Sequence, residues 1–238
     1  MRVKTYFAFF SLIFSSSLVF AQMPEIKNLL RTPEVGTWSK YKLNGKMFFG
    51  YRELYVAVVK EERIDEKMHL WYEFTMIGTE DTSTVKVLVL AEPIINLESK
   101  RVIVKAGKRT AQEVPAVMVR MGTSLGFKFA LGFNPEEMVA SIQGGLRDKS
   151  KIIPHGNILM GIAGKQVKAN YFVLKAYNGK AIELWLSDDV PLFSFVKMDI
   201  TKAQAELNEW GYSGAIDRIG ESFRPLGVSN LLKTLIKN

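Results

Sequence analysis

The residues with the most chemistry to offer are Gly122-Thr123-Ser124-Leu125-Gly126. A serine between glycines at this spacing is the pattern of a nucleophile elbow, which needs a strand, a sharp turn and then a helix. Asp148 and His155 follow in the order that a hydrolase triad would require. The residues after Gly126 (Phe127, Lys128, Phe129, Ala130, Leu131, Gly132) open no helix, so the context contradicts the motif. Ser124 is expected in a glycine-rich loop, and no catalytic residue is assigned.

Other chemistry fails more directly. Gly45-Lys46, Gly107-Lys108, Gly164-Lys165 and Gly179-Lys180 lack the upstream glycine and the following Ser or Thr of a phosphate loop. Asp188-Asp189 stands before Pro191 with no further oxygen ligand close by, and reads as a solvated turn. His69 falls on the polar side of its strand beside Glu73, where a surface imidazole is expected. With no Cys and only two His, thiolate chemistry, zinc-thiolate sites and multi-histidine metal sites drop out. No metal and no cofactor are expected.

The elements that would position any site are mostly strands. From Met68 to Ile77, Met68, Leu70, Tyr72, Phe74 and Met76 alternate with His69, Trp71, Glu73 and Thr75, predicting a half-buried strand with one apolar face. Val85, Val87 and Val89 alternate in the next run, and Ile182, Leu184 and Leu186 in a later one. Asn44-Gly45 between 37–43 and 47–60 predicts one hairpin, and Asn178-Gly179 within 165–187 another. Runs at 195–200 and 203–212 suggest a further pair. Consecutive strands with short turns predict an antiparallel sheet of about eight to eleven strands, a size at which sheets curl or close. Short helices are expected at 24–30, at 134–144 behind the Asn134-Pro135-Glu136-Glu137 start signal, and at 228–236. The last should fold back onto the sheet. Around the second of these, 116–164 mixes Met, Phe and Leu with glycines and reads as a long connection that forms either a lid or a core plug.

Residues 1–21 have a basic start at Arg2 and Lys4, an apolar run from Tyr6 to Phe14, and Val19-Phe20-Ala21 at the end. That is the pattern of a cleaved secretory signal peptide, too short in its apolar run to span a membrane. Removing 21 of the 238 residues leaves 217, and losing Arg2 and Lys4 takes the formal charge from +8 to +6. A single β-rich domain is expected over 22–238, in the periplasm. Scattered Lys and Arg without interleaved aromatics do not predict nucleic-acid binding; contact with anionic lipid head groups is the better use of the charge.

Several stretches carry a resemblance: 35–41 (VGTWSKY), 69–73 (HLWYE), 164–169 (GKQVKA), 183–192 (ELWLSDDVPL) with Val196-Lys197-Met198, and 210–215 (WGYSGA). With the strands so placed, the chain resembles the lipoprotein-localisation carrier (LolA-like) superfamily, and within it a group of secreted bacterial proteins. The resemblance implies a mainly β fold, a single strongly curved antiparallel sheet forming an incomplete barrel with a few covering helices. It also implies a lipid or other apolar ligand as partner.

The ligand would lie against Leu70, Tyr72, Phe74, Met76, Phe127, Phe129, Met160, Leu184 and Leu186, in a periplasmic carrier that is not an enzyme. The alternative is a cell-envelope assembly or scaffold protein that takes a protein partner at an exposed sheet edge.

Overall fold

A computed structural model describes residues 32–48, 50–91, 100–114, 152–175, 181–192, 194–200 and 203–225. The expected signal peptide, the three expected helices, the Ser124 motif with Asp148, and Phe127 and Phe129 lie outside these residues.

The described strands are β1 Trp38–Asn44, β2 Tyr51–Ile64, β3 Lys67–Gly78, β4 Thr82–Leu90, β5 Arg101–Ala106 and β6 Ala111–Val114, followed by β7 Ile152–Ile162, β8 Lys165–Lys175, β9 Ala181–Leu186, β10 Phe195–Ile200, β11 Ala203–Gly211 and β12 Phe223–Pro225. All belong to one open sheet in the order β12-β6-β5-β4-β3-β2-β1-β11-β10-β9-β8-β7. The sheet has twelve strands, where eight to eleven were expected. The addition includes β7, which the glycines at 156 and 161 and Pro154 disguise as a connection. Two antiparallel meanders, β1–β6 and β7–β11, join where β1 pairs with β11. Only β12 is parallel to its neighbour, β6. Among the described residues the one helical element is a short 3-10 turn at Lys46–Phe48.

Local sequence accounts for the hairpins. β2 and β3 are joined by Asp65-Glu66 (φ 48° and 64°) and β7 and β8 by Ala163-Gly164 (φ 49° and 76°). Both are two-residue turns with positive φ throughout, which match the twist of the flanking strands. The pairings expected around Asn44-Gly45 and between 165–175 and 181–187 are present. The first uses a longer connection through the 3-10 turn, and the second turn lies outside the described residues.

Bulges at Lys40/Tyr41, Tyr51/Glu53, Val58/Lys60, Phe195/Lys197 and Pro154/Gly156 break the register, and each adds local twist. The second meander is strongly curled. Four strand spacings separate β7 from β11, about 19 Å in a flat sheet, yet the two strands touch. Lys165 Nζ at the start of β8 lies 4.9 Å from the Trp210 ring of β11.

The inner face is mainly apolar, with Ser39 opposite Val56 and Ser83 opposite Met76 among its polar positions. Tyr41, Leu54, Val56, Phe74, Val87 and Val102 continue, through β11, into Leu207, Ala205, Leu184 and Leu186 as one buried cluster. The outer face carries a second, smaller cluster of Trp71, Leu88, Ile103, Ala111 and Ile219. β3 is therefore buried on both faces, not on one as its alternation predicts.

Candidate functional site

Of the expected lining residues, Leu70, Tyr72, Phe74, Met76, Leu184 and Leu186 belong to the inner cluster, and Met160 packs against it half-buried. Register explains the gathering. Val56 faces Phe74, which faces Val85; Leu54 faces Met76; Tyr72 faces Val87. On the other side of the molecule Phe172, Leu184, Met198 and Ala205 form one cross-strand row. The two halves differ in access. Phe74 is only 4% exposed and Tyr72 5%, whereas Phe172, Ile182 and Met198 on β8–β10 are half-buried around the buried Leu184 and Leu186.

The outer face holds a site that no periodicity in the sequence marks. Residues 212–222, between β11 and β12, cross the strands from β1 to β6 as a strap. Trp38 Nε1 donates to Ser213 O at 3.0 Å on β1, and Ile216 N donates to the Tyr55 hydroxyl at 2.9 Å on β2. On β3 the Glu73 carboxylate accepts from Arg218 N at 3.0 and 3.1 Å and from Ile219 N at 3.2 Å. On β4 Lys86 Nζ lies 2.6 Å from Asp217 Oδ2, and on β5 Lys105 Nζ donates to Arg218 O at 3.0 Å. β12 then pairs with β6.

Electrostatics follow from that burial. Glu73 is fully buried, which pushes its carboxyl up to about 7, against the two backbone N–H groups that favour the charge; Asp217 beside it adds to the rise. Burial would also raise Asp217, but the Lys86 ammonium and the Gly220 N–H hold it below its ordinary value. Glu73 and Lys86 stand directly opposite across β3 and β4, a pairing visible in sequence once the register is known. Both Glu73 oxygens are engaged with the strap, so the carboxyl acts as a clasp. His69, expected at the surface, is buried with Nδ1 3.0 Å from Lys67 O. It lies on a central strand whose outer face is covered.

The remaining sequence candidates do not assemble. His155 is exposed on β7, its ring tilted against that of Tyr171 with centroids 5.1 Å apart. Asp188 and Asp189 are exposed; Asp189 N donates to Ser187 Oγ at 3.2 Å and Asp189 O accepts from the Tyr212 hydroxyl at 2.9 Å. Among the described residues no three His, Asp or Glu side chains are grouped to hold a metal.

The sequence matches no family model and no curated protein. Among solved structures, the chain is similar to MucB in complex with MucA(peri), with 8% identity, a TM-score of 0.39, and 87% of this chain and 59% of that chain covered. The chain thus spans about three-fifths of the MucB chain. LprF from Mycobacterium bovis gives 13% identity and a TM-score of 0.33, covering 84% of this chain and 97% of that one. A putative outer membrane lipoprotein-sorting protein domain from Vibrio parahaemolyticus gives 8% and 0.21, covering 94% of this chain and the whole of that domain.

Proposed function

We propose that this protein is a secreted, non-enzymatic carrier that holds the apolar part of a lipid or similar ligand against the inner face of its sheet. The observation that carries the reading is the largely apolar face of an open, curled sheet, with Phe172, Ile182, Met198 and Met160 only half-buried against its cluster. Such a surface binds by desolvation, about 0.8 kcal/mol for each CH₂ group removed from water. Leu184 and Leu186 form the floor, and Leu70, Tyr72, Phe74 and Met76 extend the same face into the first meander. The curl of β7–β11 supports a half-barrel in which an acyl chain lies across the strands. Phe127 and Phe129 are proposed to contribute from the 116–151 region.

The charge balance supports a place in the cell envelope, where a basic protein meets anionic head groups while loading or unloading. Native mass spectrometry of protein purified from its own envelope fraction tests the reading. A bound mass that solvent extraction removes is the expected result. Protein that carries only its own mass, and takes up no lipid on incubation with envelope lipid, would refute it.

A further inference from the structure

The edge strand β7 offers a different kind of surface. Ile152–Ile162 reads IIPHGNILMGI and contains no Asp, Glu, Lys or Arg. Among the described residues it pairs with β8 on one side and ends the strand order on the other, touching β11 through the curl of the meander. Edge strands turn every second N–H and C=O away from their sheet, and proteins ordinarily guard them with charges, prolines or bulges. Here the guards stop early: Pro154 and the bulge at Gly156, with φ of 97°, fall in the first half. From Asn157 to Ile162 the pairing with β8 is regular. Ile158 is 42% exposed and Leu159 70%. Adjacent strand residues point to opposite faces, so these two flank the edge above and below.

Charge selects the occupant. The β7–β8 hairpin, residues 152–175, carries Lys165, Lys168 and Lys175 and no acidic residue. Lys165 and Lys168 are exposed. Two copies meeting edge to edge would bring like charges together, whereas an acidic strand would be drawn in. We propose that Asn157–Ile162 is a docking edge for an extended segment of another protein with apolar side chains at alternate positions and acidic flanks. The segment joins the sheet as an added strand. Main-chain hydrogen bonds give affinity, Ile158 and Leu159 supply apolar contact, and the lysines set preference. Ile158 shares its face with Met160, but Leu159 lies on the opposite face, so a variant at Leu159 tests this docking separately from lipid carriage.

The test uses the full chain and a labelled peptide of alternating Val and Thr with Asp residues at both ends, beside a counterpart ending in Lys. Fluorescence anisotropy is expected to show saturable binding of the acidic peptide, about tenfold tighter than the basic one at low salt. Hydrogen exchange should slow at Asn157–Ile162. Leu159→Asp, at an exposed position, should abolish binding with the thermal melt intact, and Lys168→Glu should weaken it about fivefold. Absence of saturable binding, protection elsewhere in the chain, or affinity indifferent to both variants would overturn the proposal. So would self-association of the protein that Leu159→Asp removes, because the occupant would then be a second copy.

Discussion

Glu73 is where side-chain chemistry bears most on stability. Its carboxyl titrates near 7 in the folded chain because it is buried, against an ordinary 4.5 when the chain is unfolded and hydrated. Between those values the folded state binds more protons, so the stability this group contributes is fully present below about pH 4.5 and is lost as pH rises through about 7. This group alone contributes a loss of about 3 kcal/mol at most across that interval. Glu73→Gln keeps an acceptor for Arg218 N and Ile219 N without the charge. It should flatten the slope and melt higher than wild type at pH 8, measured by thermal denaturation across pH. An unchanged slope would place the titration elsewhere. Sequence alternation puts Glu73 and His69 on the face opposite Leu70 and Tyr72, which is correct. It gives no sign that this face is covered, because the covering residues lie about 145 positions further along the chain.

At the scale of elements, the strap converts the outer face of β2–β5 into a second core. Ile219 is its apolar anchor, 6% exposed among Trp71, Leu88, Ile103 and Ala111. Ile219→Ala should cost about 2–4 kcal/mol in urea unfolding. Ile216→Ala, on the same strap but 57% exposed, keeps its backbone bond to Tyr55 and should change stability by less than about 0.5 kcal/mol. Equal effects would mean that the strap is held by its polar bonds alone. Strands with clean period-2 alternation, such as β3, β4 and β9, are legible from sequence, as are the β1–β2, β8–β9 and β10–β11 pairings. β7 is not, since Pro154, Gly156 and Gly161 interrupt the pattern that marks a strand. The strap is not legible either: 212–222 has no periodicity and gains its structure from tertiary hydrogen bonds.

For the whole molecule, register gathers residues distant in sequence onto one apolar face, and the degree of burial divides that face into two parts. The first meander is closed around Phe74 and Tyr72, so Phe74→Asp should leave a carboxylate without water and unfold the domain, at a cost of several kcal/mol. Alternation alone treats Phe74 and the β8–β10 side chains as equivalent cavity lining, because it reads the face a residue points to and not what packs over it. Met198, opposite Leu184 and Ala205 but half-buried, is where a charge can remain hydrated in the free protein and still oppose an apolar ligand. Titration of a fluorescent fatty acid into wild type and Met198→Asp tests the central claim most directly. Saturable binding by the wild type is expected, with a folded Met198→Asp variant that binds about tenfold or more weakly. A wild type that binds no fatty acid, or a variant that binds it as well as wild type does, would contradict it.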